Sequence, residues 1–396
     1  MNKLQPLVIA LLVLGYVWGA FSAWSDLHGT GYAKDNASYY YATQALNAGE
    51  NPYEPTALET LAQQDGFTSD VYPYLYPPPF LVGMTWARPL GYASTVAILF
   101  AIHHVCVLVF GVILRRWLGT PILLITGVLA TCTPLIHTAR VGQVNAIVLM
   151  LIAFGLWRHR GTSIAMAAMI KMSPAILLGG WAIQRKWRPI RAAIIAAIVL
   201  TLGALLVVPI EVQKHFYLTV LPGFSSGAYN GLQVAITLPA NHSIPNVLAQ
   251  LWPGPDAHTL STTAQRLSSV ISLGLIGGTL IWMRDSRSPL TDACLFGALI
   301  VGMVVSPIFA YEHHFAFLTL PVIGLGTALN KIRPAVWVWG LYLFAYAGIA
   351  WPLPMFRRAL RMLPEWSWAI QETKLLGALI IGGMCLWAAR RAELES

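Results

Sequence analysis

The residues that could do chemistry are few, because most of the chain is apolar, and the acidic ones gather in one stretch. Six of the sixteen acidic residues lie between Asp35 and Asp70, where no Lys or Arg occurs. Asp35 could act as a general base, a role that typically contributes about 10² to 10⁴ in rate. It could also simply cap the helix that follows it. Asp26, two residues after the first apolar run, is the alternative base.

Cationic and imidazole side chains interrupt two other apolar runs. Lys171 lies inside AMIKMSPAILL, where a charge at membrane depth costs at least about 2.5–3.5 kcal/mol and so indicates function. It could pair with a lipid phosphate, or it could snorkel from a helix end. His313 and His314, in SPIFAYEHHF, could bind a phosphate, assist proton transfer or form the polar end of a helix. The spacing supplies no third zinc ligand beside Glu312, so no metal site is predicted.

Amides and tyrosines complete the set of candidates. Gln143 and Asn145 enter an apolar segment, where amides can bind sugar hydroxyls or hold helices together. Asn241 belongs to a polar cluster near the end of a second polar loop. Tyr39 and Tyr40 could line a sugar or lipid groove, although tyrosines also favour the membrane surface.

The composition predicts an all-α polytopic membrane protein. The 396 residues are 57% hydrophobic and 10% charged, whereas soluble domains carry about 25% charged residues. The apolar runs predict about ten to twelve transmembrane helices in a single integral membrane domain, residues 1–396. The net charge of +9 does not indicate nucleic acid, since basic residues cluster in short loops as the positive-inside rule expects.

These basic clusters also predict the orientation of the loops. Clusters at 185–191, 284–287, 331–333 and 390–391 should be cytoplasmic, which leaves 25–76 and 210–265 as the two large extracytoplasmic loops. A simple twelve-span count, however, places Arg115 and Arg158 outside. If 78–89 and 163–183 are re-entrant or broken segments, both arginines return to the inside. The sequence leaves both alternatives open.

The first of these loops carries Asp35. Residues 38–48 predict a short helix at the membrane surface, capped by Asp35 or Asn36, with its tyrosines at headgroup level. Gly49 should end this helix. The chain has neither a GxGxxG motif nor a Walker loop, so nothing predicts a nucleotide-binding fold. A group-transfer reaction here would therefore need an activated donor from the lipid phase.

Taken in order, the motifs resemble glycosyltransferase family 87, the polyprenyl-phosphate-mannose-dependent mannosyltransferases of bacterial envelopes. One residue departs from the pattern, because Asn36 stands where the family usually has an aromatic residue. The matching pieces are Asp35-x3-Tyr39-Tyr40, Ala45-Leu46-x2-Gly49-x-Asn51-Pro52-Tyr53, Tyr76-Pro77-Pro78, Gly142-Gln143-x-Asn145, Lys171-x2-Pro174, and Ser306-Pro307 with His313-His314.

This resemblance implies a helical bundle of the C-type glycosyltransferase fold, in a bacterial inner membrane, with an extracytoplasmic active site. By position, it implies that Asp35 is the catalytic base of an inverting transfer, which moves a sugar, typically mannose, to an envelope lipid or glycan. In this scheme Lys171, His313 and His314 bind the donor phosphate, and neither metal nor cofactor is needed. The expected partners are membrane lipids, the lipid-linked donor and a glycolipid or glycan acceptor.

Two other functions remain open from the residues. A transporter or flippase of a lipid-linked sugar would suit many spans and a lysine at depth, but the chain lacks the paired halves that many transporters show. An envelope polysaccharide polymerase or ligase would also use lipid-linked sugars, with its large outer loop expected late in the chain.

Overall fold

The computed structural model describes residues 4–27, 34–224, 227, 229–232, 234–285 and 288–394. Within these residues the chain is helical and forms no β-strand beyond one isolated bridge, between Asn241 and Tyr311. The first half contains α1 (Gln5–Leu27), α2 (Lys34–Asn47), α3 (Pro55–Gln64), α4 (Pro78–Gly83), α5 (Tyr92–Leu118), α6 (Ile122–Thr131), α7 (Thr133–Val141), α8 (Asn145–Arg158), α9 (Gly161–Ile170), α10 (Leu177–Ile183) and α11 (Trp187–Ala204).

The second half also consists of helices of widely different length. It contains α12 (Ile210–His215), α13 (Leu221–Gly223), α14 (Ile244–Leu251), α15 (Thr262–Trp282), α16 (Pro289–Val305), α17 (Thr319–Ile332), α18 (Val336–Ala350), α19 (Leu353–Met362), α20 (Ser367–Gln371) and α21 (Thr373–Leu394). A π-helical turn covers Phe216–Val220, and 3₁₀ turns cover Thr85–Ala87, Ser173–Ile176, Tyr229–Gly231, Met283–Asp285, Glu312–Leu318 and Pro364–Trp366.

The chain is an all-α polytopic membrane protein, as predicted from its composition. Of the described helices, six are long and apolar enough to cross a membrane: Gln5–Leu27, Tyr92–Leu118, Trp187–Ala204, Thr262–Trp282, Glu312–Ile332 and Pro364–Arg391. The pair α6 and α7, bent by 51°, would add a seventh. Five further apolar helical segments of 10–17 residues are shorter than a full span. Whether they complete ten to twelve crossings stays a prediction.

The two segments that the sequence left open, 78–89 and 163–183, are both interrupted in the structure. After Pro78 the helix runs only to Gly83 and gives way to a 3₁₀ turn. The segment 163–183 is divided at Lys171, whose backbone is extended, with φ −135° and ψ 124°. Pro174 then lies in a 3₁₀ turn before α10 begins. Broken backbone of this kind is tolerated at membrane depth where it faces a protein cavity.

Local sequence explains where several helices begin and end. The side chain of Ser261 accepts a hydrogen bond from Ala264 N at the start of α15, and Ser288 does the same for Thr291 N at the start of α16. Gly49 ends α2 with φ +81°, and Glu50 N donates to Ala45 O. The predicted end of the first-loop helix is therefore confirmed, although α2 begins earlier than predicted, at Lys34.

The first loop folds as a packed layer. Tyr39 and Tyr41 of α2 are 0% and 1% exposed, so they pack inside the protein and do not face lipid headgroups. The depth of α2 relative to the membrane surface stays a prediction. Tyr53 packs on Tyr74 and Phe216, with ring centroids 5.4 and 5.2 Å apart. The larger core lies elsewhere, where α16 packs on α17 and α21 and α5 packs on α8. The aromatic layer holds α2, and with it Asp35, at a defined position over the bundle.

Candidate active site

A cavity of about 1300 Å³ lies where the first loop, the break at Lys171, α15 and the turn Glu312–Leu318 meet. Residues distant in sequence meet in its wall, and the ones expected to act on substrate are well represented. Among them are Asp35, Gln143, Lys171, His313 and His314.

Asp35 lies in the first turn of α2. A carboxylate is favoured there because the helix dipole is positive at its N-terminal end. Burial raises the pKa of Asp35 above its ordinary value, while the positive charge of Lys171 and a hydrogen bond from Gln143 act in the opposite direction. The pKa of Asp35 is therefore set by opposing effects of burial and a neighbouring charge, as is typical of residues at functional sites.

Lys171 reaches the cavity because the helix before it ends. Its backbone N donates to Ala167 O at 2.9 Å, which closes α9, and the extended backbone then turns its side chain out of the helix. The Nζ atom lies 5.7 Å from the centroid of the Tyr76 ring, a cation–π contact. Lys171 thus presents a positive charge to the same wall as Asp35, with an aromatic face to support it.

Gln143 is oriented by two tyrosines. Its Oε1 accepts hydrogen bonds from Tyr39 Oη at 3.0 Å and from Tyr76 Oη at 3.1 Å. The preceding Gly142 has φ +75°, and a side chain there would collide with the amide of Asn36. This close approach ties α2 to the turn between α7 and α8 and places the Gln143 amide beside Asp35.

Hydrogen bonds to the His313 backbone and to the His314 ring position the two adjacent histidines. The carbonyl oxygen of His313 accepts from Asn145 Nδ2 at 2.7 Å and from Thr138 Oγ1 at 3.1 Å. The Nδ1 atom of His314 accepts from Tyr311 N at 3.2 Å, and the two imidazole centroids are 4.3 Å apart. The tight 3₁₀ turn thus brings both rings to the cavity that holds Lys171.

The other predicted binding residues are not among those that line the cavity. Asn145 supports His313, and Tyr39 supports Gln143. Tyr40 Oη donates to Leu90 O at 3.1 Å, on the side facing Tyr92. Asn241 is buried and bonds the backbone of Ile236, Ile308 and Ala310. Direct contact of these four residues with substrate stays a prediction; what the structure shows is that they hold neighbouring groups in place.

Asp26 is also placed away from the cavity wall. It lies in the last turn of α1, and its Oδ2 is 2.7 Å from Arg140 Nε. The Asp26 carboxylate is therefore engaged by the Arg140 guanidinium and is not part of the cavity wall. Of the two predicted bases, Asp35 has the better position.

Among the cavity residues that sequence reasoning missed are one imidazole and one cation, His137 and Arg357. The His137 ring lies 6.5 Å from that of His313, so it extends the imidazole group onto α7. Arg357 belongs to α19, in residues 352–371, which the cytoplasmic basic clusters also predict to lie on the outer side. Three arginines in a loop expected to carry few (Arg357, Arg358 and Arg361) were the available signal. No such signal distinguished His137.

Metal binding has no support among the residues placed by the structure. Within 4–27, 34–224 and the later described ranges, no three His, Cys, Asp or Glu side chains are arranged to hold an ion. The expectation that the reaction needs no metal stays a prediction.

Comparison with known proteins gives one result. The sequence model described as glycosyltransferase family 87 matches residues 74–307, more than half of the chain. The match includes Gln143 and Lys171, whereas Asp35, His313 and His314 lie outside it. No curated protein and no solved structure matches the chain.

Proposed function

The chain belongs to glycosyltransferase family 87 and is a membrane glycosyltransferase, and from that premise we propose how it acts. We propose that it moves a sugar, mannose by the resemblance of its motifs, from a polyprenyl-phosphate donor to a hydroxyl of an envelope lipid or glycan. The observation that carries this proposal is the meeting of the half-buried carboxyl group of Asp35 with a lysine and two histidines in one cavity.

In the proposed reaction Asp35 takes the proton from the acceptor hydroxyl. The acceptor oxygen forms a bond to the anomeric carbon, and the bond from that carbon to the phosphate oxygen breaks with its electron pair on the phosphate. A single displacement of this kind inverts the anomeric centre. The charge passes from the Asp35 carboxylate, which becomes neutral, to the leaving polyprenyl phosphate.

The cationic side of the cavity suits the leaving group. Lys171 supplies a positive charge, and His313 and His314 can donate hydrogen bonds to phosphate oxygens. Groups already in place where negative charge develops stabilise a transition state without reorganising. Such side chains would supply the electrostatic stabilisation that a metal ion provides elsewhere.

The rest of the cavity suits a lipid-borne donor. Its wall beyond the charged residues includes Leu221, Phe224 and Leu238, which offer an apolar surface to isoprenoid chains. With the basic clusters on the cytoplasmic side, the first loop and this cavity would face outward from a bacterial inner membrane. The family assignment argues against the flippase alternative, and no observation favours a polymerase.

A donor test separates this proposal from a nucleotide-sugar reaction. Membranes containing the protein would receive radiolabelled polyprenyl-phosphate mannose or, in parallel, a labelled nucleotide mannose, with membrane lipid extract as acceptor. We expect label to move from the polyprenyl-phosphate donor to a new product without any nucleotide. Transfer that requires the nucleotide sugar and ignores the lipid donor would contradict the proposal.

A further inference from the structure

One face of α15 is polar, although the helix is apolar enough to span a membrane. Gln265, Ser268, Ser269 and Ser272 follow one another at helical spacing, and all four line the cavity. Residues separated by three or four positions share one face of a helix. Elsewhere on the helix Val270 is 66% exposed, as expected for a surface turned to lipid. Along this polar face Ser268 is buried and Ser272 is half-buried, whereas Gln265 and Ser269 are exposed at the cavity.

Two hydroxyls of this face are left without a hydrogen-bond partner among the described residues. Ser268 is 6% exposed, and its Oγ, like that of Ser272, contacts no donor or acceptor. Serines within helices commonly bond the carbonyl four residues earlier, as Ser269 does with Gln265 O at 2.9 Å. Ser306, at the end of α16, lines the same cavity with its Oγ equally unpartnered.

The chemistry of this wall differs from that of the catalytic wall. Lys171 and the histidines offer positive charge and hydrogen-bond donors, which suit a phosphate. The serine hydroxyls and the Gln265 amide are neutral, and each both donates and accepts. Among ligands, alcohol groups match this pattern, because they also donate and accept. Arg357, which borders the cavity from α19, is the remaining cation in its described wall.

The size of the cavity leaves room for a second ligand. Ligand pockets usually measure about 300–1,000 Å³. The cavity here, at about 1300 Å³, exceeds that range. A sugar phosphate beside Asp35 and Lys171 would therefore leave the α15 side free.

We propose that the serine wall, formed by Gln265, Ser268, Ser272 and Ser306, binds hydroxyl groups of a saccharide-bearing acceptor. This inference rests on the proposed function, because it assigns the acceptor half of the same cavity. The saccharide hydroxyls would complete the hydrogen bonds that Ser268 and Ser272 lack. The acceptor would thus be recognised as a glycan or glycolipid, with its reactive hydroxyl directed to Asp35.

A binding measurement tests the wall without requiring catalysis. The full-length protein, in phospholipid nanodiscs free of glycoside detergent, would be titrated with n-octyl α-D-mannopyranoside and, separately, with n-octyl phosphate. The test variant is Ser268→Ala with Ser272→Ala. The matched control is Ser269→Ala, which removes a hydroxyl already bonded to its own helix.

We expect the double variant to bind octyl mannoside about tenfold more weakly, since a hydrogen bond is worth about 0.5–1.5 kcal/mol and 1.4 kcal/mol is a factor of ten. Octyl phosphate binding should be unchanged, which also shows that the variant is folded. The Ser269→Ala control should bind both ligands as the wild type does.

Two results would overturn the inference: octyl mannoside binding that is absent from the wild type, or binding that is equal in wild type and double variant. A loss shared by octyl phosphate would also overturn it, because the effect would not belong to the hydroxyl groups. The protein could instead bind mannoside through these serines yet transfer no sugar from a polyprenyl-phosphate donor. That result would support the serine wall and contradict the proposed function.

Discussion

Lys374 Nζ lies 3.2 Å from Glu312 Oε2, and the two side chains are 0% and 2% exposed. Lys374 also donates to the carbonyl oxygens of Ile349 and Trp351, at 2.8 and 3.0 Å. The pair thereby joins the start of α21 and the end of α18 to the turn that presents His313. The last part of the chain, beyond the matched range, thus holds one wall of the cavity in place.

Replacing Lys374 should destabilise the protein. Lys374→Met leaves the Glu312 carboxylate buried without its partner, and breaking a buried pair costs about 3–5 kcal/mol. The thermal unfolding midpoint in nanodiscs would measure the loss. Lys214→Met, which breaks an exposed pair with Glu211, is the control and should change stability by about 1 kcal/mol or less. Equal midpoints for the two variants would show that the buried pair contributes no more to stability than the exposed pair does.

The loss of activity at low pH should reflect protonation of Asp35. The base must be ionised, and burial raises its pKa, so activity should fall at a higher pH than an ordinary aspartate, of pKa about 3.9, would give. Lys171→Met removes a charge that lowers the pKa of Asp35, so this loss should move to still higher pH. The measurement is kcat/KM between pH 4 and 9 for both proteins. If activity falls at the same pH in both proteins, the group that titrates is not influenced by the charge of Lys171.

Gly142 should tolerate no side chain. Its φ of +75° and the adjacent Asn36 amide both oppose a Cβ atom. An unfavourable backbone of this kind costs about 1–3 kcal/mol, and Gly142→Ala should also displace Gln143 and lower the transfer rate. Gly274→Ala is a suitable control, because nothing lies within 4 Å of its added Cβ. Wild-type stability and rate in Gly142→Ala would contradict the structure of this turn.

The tyrosine support of Gln143 can be tested separately from sugar binding. Tyr39→Phe with Tyr76→Phe removes both donors to Gln143 Oε1, and an unpaired buried acceptor costs about 1–3 kcal/mol. We expect kcat to fall by about tenfold or more. Tyr40→Phe, whose hydroxyl bonds Leu90 O, should leave kcat nearly unchanged. A larger loss of kcat in Tyr40→Phe than in the double variant would indicate instead that Tyr40 contacts the substrate.

The sequence predicted the chemical groups better than their surroundings. Lys171 and His313 could be found because each interrupts an apolar pattern, where a polar group is costly. Asp35 could be found because it begins the acidic stretch after the first apolar run and matches the family's aspartate by position. The break at Lys171 was predictable from the same residue and from Pro174. The inward placement of Tyr39 was not, because preference for the membrane surface is an average that ignores packing against Phe80 and the rest of the aromatic layer.

Contacts between distant segments were beyond the reach of sequence patterns. His137 and Arg357 enter the cavity from α7 and α19. No local motif marks His137, and the run of arginines in α19 does not indicate which of them reaches the cavity. From the sequence alone, Lys374 is only a lysine near the start of an apolar segment. In the structure its buried partner is Glu312, 62 positions earlier. Such pairings depend on how the helices pack, which spacing along one helix does not record.

The most direct test of the account is the transfer rate of Asp35→Asn with radiolabelled polyprenyl-phosphate mannose. Its control is Glu50→Gln, which removes an exposed carboxyl group from the same loop. We predict a loss of about 10²-fold or more for Asp35→Asn at equal expression, and none for the control. Transfer by Asp35→Asn at the wild-type rate would contradict the assignment of Asp35 as the base.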